Sequence, residues 1–290
     1  MEPVRAALRA LGHQNWLRFG IRDRAIRAFF NPDSIEPYEF ESEFFGRRYR
    51  GNLSSYIDWT VYFYGALEPG VLKLLADLAS TRTDPVFLDI GANVGQHSLF
   101  MSTHAKEVHA FEPNPGVLGQ FRDLIEQNGI DNIRVHPVGL GARDEELPFF
   151  SPQGANLGIG SFVKEHSSDN RETGRLTVKM ADEYIAGLRL PHVDVVKIDV
   201  EGFEKNVLAG LRETLKQFRP KVVFEFSKTT KASFSSQAEL MSLFPAGYSV
   251  SRIVDLEPLL FFFNKPGYSL RPFDFDRDVG NLLLLPEEAK

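Results

Sequence analysis

A glycine turn and an acidic residue downstream of it form the first set of residues that could bind a ligand. Segment 89–95 contains Gly91 and Gly95, which lack a Cβ and therefore let backbone and ligand approach closely. Glu112 follows at the expected end of the next strand, where a carboxylate can accept hydrogen bonds from both hydroxyls of a ribose. The combination predicts a site for an adenosine-type ligand.

Asn93 and Asp89 discriminate between the adenosine-type ligands. Asn93 stands where a dinucleotide fingerprint has its second glycine, and its side chain would crowd a diphosphate. Asp89 would repel an anion and attract a cation. S-adenosylmethionine fits both residues, since it has a ribose, no phosphate, and positive charges on its sulfur and amino groups. A nicotinamide dinucleotide fits them less well.

The second set of residues lies on one strand. Lys197, Asp199 and Glu201 alternate with apolar residues, so their side chains share one face, with successive ones roughly 7 Å apart. A central parallel strand is normally apolar on both faces, so charges there must be paired. Glu225, near the end of the next strand, is expected to face the same place.

This charged set predicts a base for a reaction at a hydroxyl group. Asp199 is the first candidate to accept the proton, and Lys197 is the candidate to stabilise the developing oxyanion. Glu201 and Glu225 are expected to orient other hydroxyls of the acceptor. His97, just after the glycine turn, is a further candidate for the base or for a cofactor contact.

Two alternatives for the charged set remain open. Asp199, Glu201 and Glu225 offer the hard oxygen ligands that suit Mg²⁺. Since Lys197 already supplies a cation there, no metal is expected. The other alternative is a buried cluster of ion pairs that only ties two strands together.

Short apolar runs alternate with helical stretches and must position these residues. Strands are predicted over 86–90, 108–111, 133–138, 193–199 and 221–226. Helices are predicted over 95–103, 115–127 and 203–217. This alternation indicates an α/β protein with a parallel sheet, in which ligands bind at the carboxyl ends of the strands.

Three motifs resemble the FkbM family of S-adenosylmethionine-dependent methyltransferases: segments 87–95, 111–113 and 196–204. The third, with its K-I-D-x-E-G-x-E pattern, is the most particular to that family. The resemblance covers about residues 60–250. It implies a Rossmann-like class I methyltransferase fold, with a seven-stranded, mostly parallel sheet, helices on both faces and an antiparallel last strand. It also implies methyl transfer to an oxygen, often a hydroxyl of a sugar or a natural product.

The resemblance further implies which residues contact the cofactor. The residues expected to line its methionine end are Asp89, Gly91, Asn93 and Gly95. Glu112 is expected on the ribose. The stretch 138–141 lacks the polar residue that often contacts the adenine, which leaves Asp144 as a weak candidate for that contact.

Two rival functions remain open at this stage. One is a Rossmann-type NAD-dependent oxidoreductase, which Asn93 disfavours. The other is a catalytically inactive interaction protein on a methyltransferase fold, which the retained charges disfavour. The expected acceptor is a small molecule or a glycan, including a glycolipid, and nothing in the sequence indicates an oligomeric state.

Composition and charge limit the remaining possibilities. The 290 residues include no cysteine, which excludes disulfides and thiolate metal sites, and the net charge of −6 argues against a nucleic-acid partner. No signal peptide or membrane-spanning run is evident, so a cytoplasmic protein is expected.

The chain divides into an N-terminal helical and aromatic extension, 1–60, and a methyltransferase domain, 61–290. The first 30 residues hold six arginines against two acidic residues. Such a segment either packs on its own domain or contacts a membrane surface or a lipid-linked substrate.

Two further segments are candidates for substrate contact. An aromatic cluster with one acid precedes the first strand and could cover the cofactor, stack on a sugar or simply pack in the core. Its members are Tyr56, Trp59, Tyr62, Phe63, Tyr64 and Glu68. The Ser151–Gly160 span, with Asn156 and the following Ser161, is the candidate for a loop that binds the acceptor.

Overall fold

The computed structural model of the protein describes residues 1–152, 160–164 and 170–287. The helices are α1 (Glu2–Gly12), α2 (Phe19–Arg27), α3 (Tyr56–Tyr64), α4 (Pro69–Ala79), α5 (Gln96–Met101), α6 (Pro115–Gln127), α7 (Ala181–Leu188), α8 (Glu204–Gly210), α9 (Arg212–Phe218), α10 (Lys228–Ala232) and α11 (Gln237–Met241). The strands are β1 (Glu39–Phe44), β2 (Arg47–Asn52), β3 (Val86–Ile90), β4 (Glu107–Phe111), β5 (Ile133–His136), β6 (Gly139–Gly141), β7 (Glu145–Pro152), β8 (Asn170–Met180), β9 (Val195–Ile198), β10 (Lys221–Phe226), β11 (Tyr248–Asp255), β12 (Pro258–Leu259), β13 (Phe263–Asn264), β14 (Tyr268–Pro272) and β15 (Gly280–Pro286).

An eight-stranded sheet forms the centre of the fold, in the order β14-β11-β15-β10-β9-β3-β4-β5. The five strands from β10 to β5 are mutually parallel. β15 runs antiparallel to β10 on one side and to β11 on the other. All five residues of β3 are buried, as expected for a strand covered on both faces.

The predicted fold class is confirmed, with one addition and one break. The sheet is mostly parallel, has helices on both faces and has the antiparallel last strand that the resemblance implied. An eighth strand, β14, extends the predicted seven by pairing with β11. The helix predicted over 203–217 is divided at Leu211 into α8 and α9.

Two hydrophobic cores cover the two faces of the sheet. Side chains alternate along β9, so that Val195 belongs to one core and Val196 and Ile198 belong to the other. The first core is built with α3 to α6 and the N-terminal segment, and the second with α7 to α11. The side chain of Lys197 lies on the same face of β9 as Val195, toward the first core. Because Lys197 is near the end of β9, it also lines the cavity described below.

The first 60 residues are only partly helical. They contain α1 and α2 followed by the antiparallel hairpin β1-β2, and α3 crosses the expected boundary at residue 60. Ile26 and Phe30 join the first core, so this segment packs against the rest of the chain. The domain division itself stays a prediction. No helix in the described part of the chain has both the length and the apolar character needed to cross a bilayer.

The strands β6, β8 and β7 form a small second sheet, in that order. Residues of this sheet line part of the cavity described below. Within it, β7 and β8 form an antiparallel pair. Of the expected acceptor loop, residues 153–159, including Asn156, lie outside the described residues. Ser161 is buried, and its hydroxyl donates to the carbonyl oxygen of Glu201 at 2.6 Å.

Candidate active site

The turn after β3 is shaped by its contact with the end of β9. Gly91 has φ +84°, and a Cβ there would lie 1.8 Å from the carbonyl oxygen of Asp199. Asn93 also has a left-handed conformation, with φ +54°. Only glycine fits the first position, because the two strand ends touch there. The turn therefore brings Asn93 and the segment after β9 to the same cavity.

Glu112 fixes this turn to the end of β4. Its Oε2 accepts a hydrogen bond from the backbone N–H of Asn93, and its Oε1 accepts one from Asn114, both at 2.8 Å. Burial raises the pKa of Glu112 to about 7, although the two N–H donors act in the opposite direction. The carboxyl group lines the cavity, as the sequence predicts.

Lys197 lies between two carboxylates, of which Asp199 lines the cavity and Asp89 does not. Its Nζ lies 3.2 Å from Oδ2 of Asp199 and 3.7 Å from Oδ1 of Asp89. Asp89 is fully buried, accepts a hydrogen bond from Ser98 at 2.7 Å, and does not line the cavity. Asp89 thus supports Lys197, and its expected contact with the cofactor stays a prediction.

Three carboxylates converge beside this lysine. Oxygens of Asp199, Glu201 and Glu225 all lie within 4.8 Å of one another. Burial and, to a smaller extent, the negative charges of Asp199 and Glu201 together raise the pKa of Glu225 to about 9. Glu225 is therefore protonated at neutral pH. The spacing would also suit a divalent cation, so magnesium stays an open alternative to the prediction that no metal binds there.

Glu204, the last residue of the third motif, shapes the loop that carries Glu201. Its Oε1 accepts hydrogen bonds from the N–H groups of Val200 at 2.9 Å and Gly202 at 3.2 Å. Its Oε2 accepts one from the hydroxyl of Thr230 at 2.5 Å. The loop residue Glu201 has φ +54°. Glu204 thus positions the acidic loop without lining the cavity.

Glu68 enters the site from before the first parallel strand. It adopts φ +51° at the residue preceding α4, and its Oε1 accepts a hydrogen bond from Asn281 at 2.6 Å. Burial raises its pKa to about 7, with a further contribution from Asp199, while Lys197 lowers it. In the sequence Glu68 is recognisable only as part of the aromatic cluster, because no spacing rule connects it to the strand ends.

These residues surround a cavity of about 340 Å³ at the carboxyl ends of the parallel strands. Five carboxyl groups and one ammonium group line it: Glu68, Glu112, Asp199, Glu201, Glu225 and Lys197. The lining also includes Phe149, Phe162 and Phe203, and the ring of Phe162 contacts the other two. A volume of this size with acidic and aromatic lining suits a small ligand that carries positive charge.

His97 also lines the cavity, but its imidazole is only 5% exposed. Its Nε2 has no hydrogen-bond partner within the described part of the chain. Burial, together with the nearby Lys197, holds the pKa of His97 well below its usual value. The imidazole is therefore neutral at physiological pH.

Two other predicted cofactor residues are not brought to the cavity. A Cβ at Gly95 would lie 2.1 Å from the ring of Phe121, so this glycine allows close packing on α6, and its contact with the cofactor stays a prediction. Asp144 lies on the surface, where it pairs with Lys179 at 2.7 Å, and it has no place on the cavity wall. The aromatic cluster also divides, since Tyr56 lines the cavity while Trp59 and Phe63 are core residues.

Comparison with known proteins identifies the family. The model of the methyltransferase FkbM domain matches residues 89–250, more than half of the chain. The chain belongs to the FkbM methyltransferases. The matched segment includes every residue of the two sets that the sequence analysis singled out, whereas Glu68 lies before it.

Two curated relatives of the family are similar to the chain over about half its length. The hexuronic acid methyltransferase AglP of Haloferax volcanii is 35% identical over 153 residues, which cover 51% of this chain and 58% of AglP. The 2-O-methyltransferase NoeI of Sinorhizobium fredii is 28% identical over 152 residues, which cover 48% of this chain and 62% of NoeI. The chain thus matches less than two thirds of either relative.

A crystal structure from the same family also aligns with the chain. It is methyltransferase FkbM from Methylobacillus flagellatus, with a TM-score of 0.45 and 16% sequence identity. The alignment covers 77% of this chain and 52% of that structure.

Proposed function

We propose that this FkbM methyltransferase uses S-adenosylmethionine to methylate a hydroxyl oxygen of a sugar, a glycolipid or a natural product. The observation that carries the proposal is the acidic cavity at the strand ends, where Lys197 pairs with Asp199 beside a protonated Glu225. AglP acts on a hexuronic acid and NoeI at a 2-O position, as their names state, which supports a sugar-like acceptor. The cytoplasmic location stays a prediction of the sequence.

The residues present fit this cofactor. Apart from the protonated Glu225, four carboxyl groups on the cavity wall accompany one cation, Lys197, and this balance favours a cationic ligand over one with phosphates. Glu112 lies at the end of β4, where it can accept hydrogen bonds from ribose hydroxyls through its remaining lone pairs. When bound, S-adenosylmethionine supplies a methyl group on a positively charged sulfur, which an oxygen nucleophile can attack.

The side chains of the cavity would activate the acceptor hydroxyl. Asp199 lines the cavity and is the group we assign to accept the hydroxyl proton. Lys197 would stabilise the oxygen as negative charge develops on it. Glu225, being protonated, would donate a hydrogen bond rather than accept a proton. The neutral His97 is the second candidate for the proton acceptor.

The cofactor is tested by calorimetric titration of the protein with S-adenosylmethionine, its demethylated product S-adenosylhomocysteine, and NAD⁺. We expect binding of the first two and none of NAD⁺. Binding of NAD⁺ alone, or of none of the three, would contradict the proposed cofactor.

The base is tested with Asp199→Asn and His97→Asn, followed by methyl transfer to a panel of glycans and alcohols. We expect Asp199→Asn to keep cofactor binding and to lower turnover about 10²–10⁴-fold. His97→Asn should retain most of its turnover, and Glu172→Asn, at an exposed position on β8, should behave as wild type. If His97→Asn lost turnover and Asp199→Asn retained it, His97 would be the group that accepts the hydroxyl proton.

A further inference from the structure

A short apolar hairpin projects from the protein between β11 and β14. It consists of residues 258–264, in which β12 pairs with β13. Its five consecutive apolar residues are exposed as follows: Leu259 53%, Leu260 75%, Phe261 82%, Phe262 61% and Phe263 42%. An apolar run of this kind has the composition of a buried strand, whereas here it lies at the surface. An exposed apolar run of this length requires an explanation.

The hairpin is held in its exposed position by the N-terminal segment. The backbone N–H of Arg18 donates to the carbonyl oxygen of Phe262, and that of Asn264 donates to Trp16, both at 2.8 Å. The Trp16 ring stacks on Phe263, with ring centroids 5.9 Å apart. These backbone hydrogen bonds fix the β13 arm of the hairpin to the N-terminal segment, and the apolar tip remains exposed.

Exposed side chains of the N-terminal segment enlarge the apolar surface. Trp16 is 51% exposed, Phe19 43% and Ile21 36%. We call these three residues together with Leu259–Phe263 the apolar patch.

Cationic side chains accompany the apolar patch. Arg18 and Arg24 are exposed in the N-terminal segment, and Lys265 is exposed directly after the hairpin. Arg18 also donates from its guanidinium to the carbonyl oxygen of Phe261, which places it at the hairpin. The net charge of the whole chain is −6, whereas the first 30 residues hold six arginines and two acidic residues. Apolar residues flanked by cations are complementary to a bilayer that contains anionic lipids.

The apolar patch lies at the same edge of the sheet as the cavity. β11 runs parallel to β10, since each is antiparallel to β15, and the hairpin follows the carboxyl end of β11. At that end Oδ1 of Asp255 accepts a hydrogen bond from the N–H of Gly70 at 2.6 Å. Glu68 of the cavity wall is two residues away from Gly70. The root of the hairpin is thus joined to the wall of the cavity.

We propose that the apolar patch docks on the surface of a bilayer that contains anionic lipids, with the tip Leu260–Phe262 inserted between the headgroups. Leu260, Phe261 and Phe262 are all exposed, so each of these apolar side chains is available to the bilayer interface. Phe and Leu are suited to that interface. Docking does not depend on methyl transfer, so it is testable without a substrate.

The test is flotation of the full chain with vesicles of phosphatidylcholine alone or mixed with phosphatidylglycerol. We expect wild type to float with the mixed vesicles, and less protein to float when the salt concentration is raised. The double variant Phe261→Ser, Phe262→Ser should bind at least about tenfold more weakly to the mixed vesicles. Arg24→Glu should weaken binding to mixed vesicles and leave the weak binding to neutral vesicles unchanged.

A matched control is Phe45→Ser. Phe45 is 50% exposed between β1 and β2 and packs on Phe100 of α5, away from the hairpin. This variant should float as wild type does. Trp16 provides a second measurement, because the other tryptophan, Trp59, is fully buried. Mixed vesicles should therefore reduce quenching of Trp16 by acrylamide.

Absence of flotation, or equal flotation of wild type and the double variant, would overturn the proposal. So would a shift from dimer to monomer in the double variant without any lipid binding, because the occupant of the patch would then be a second copy of the chain. Failure of cofactor binding in the calorimetric titration would leave this inference intact.

Discussion

The ammonium group of Lys197 lies 3.2 Å from a carboxylate oxygen of Asp199, at the point where β9 ends and the cavity begins. Lys197 is nearly fully buried, and burial alone would lower its pKa. The attraction of Asp199, Asp89 and Glu68 more than offsets this and raises the pKa of Lys197 above its usual value. The lysine is therefore a fixed cation on which the neighbouring carboxylates depend.

We expect Lys197→Met to destabilise the protein strongly. The substitution leaves Asp89 buried without its cation, and breaking a buried pair costs about 3–5 kcal/mol of the free energy of unfolding. Urea denaturation measures the loss. Lys205→Met is the matched control, because the ion pair of Lys205 with Glu239 is about one third exposed on both sides. It should cost about 1 kcal/mol.

Equal losses in the two lysine variants would show that Lys197 does not compensate Asp89. A second substitution adds to the test. In the Lys197→Met background, Asp89→Asn removes the unpaired charge and should recover part of the lost stability.

Local sequence signals predict the elements around the cavity well. Helix α6 begins and ends where predicted, since Pro115 occupies its first turn, Asn114 caps it, and Asn128-Gly129 ends it. Strand β10 also has its predicted bounds. Apolar runs and capping residues act within a few positions of each other, so they can be recognised in the sequence without knowledge of the tertiary structure.

The tertiary contacts of the site are less predictable. Glu68 reaches the cavity because it bonds to Asn281, at the other end of the chain, and no periodicity relates these two residues. The place of Asp144 after the third parallel strand makes it a candidate for the adenine contact. In the structure it lies at the surface and pairs with Lys179 on β8. The apolar hairpin has the composition of a buried strand. Its exposure depends on contacts with residues 16–18 that the sequence alone does not indicate.

Glu225→Gln is expected to stabilise the protein at neutral and alkaline pH. The pKa of Glu225 is about 9 in the folded protein and near 4.5 when unfolded, so the folded state retains a proton that the unfolded state releases. Between these pH values the contribution of wild-type Glu225 to stability falls as the pH rises. Glutamine resembles the protonated carboxyl group and does not titrate. At pH 7 the free energy of unfolding of Glu225→Gln should exceed that of wild type by about 2–3 kcal/mol.

Urea denaturation of wild type and Glu225→Gln across this pH range measures the effect. Glu172→Gln, at an exposed site, should follow wild type at every pH. If the free energies of unfolding of wild type and Glu225→Gln changed with pH in the same way, a raised pKa of Glu225 would be contradicted. If added Mg²⁺ stabilised wild type but not Glu225→Gln, the magnesium alternative at Asp199, Glu201 and Glu225 would be favoured instead.

Gly91→Ala should disrupt the junction between the turn after β3 and the end of β9. The new Cβ would lie 1.8 Å from the carbonyl oxygen of Asp199, so that strand end must move and the cavity must change shape. Gly46→Ala is the matched control, because Gly46 has φ +77°, close to the +84° of Gly91, but no atom within 4 Å of the new Cβ. In the control, the left-handed backbone conformation should lower the free energy of unfolding by about 1 kcal/mol. Gly91→Ala should lower it by about 1–3 kcal/mol more and should also abolish S-adenosylmethionine binding. Urea denaturation and calorimetry measure the two effects, and equal losses with binding intact would show that the contact with Asp199 does not shape the site.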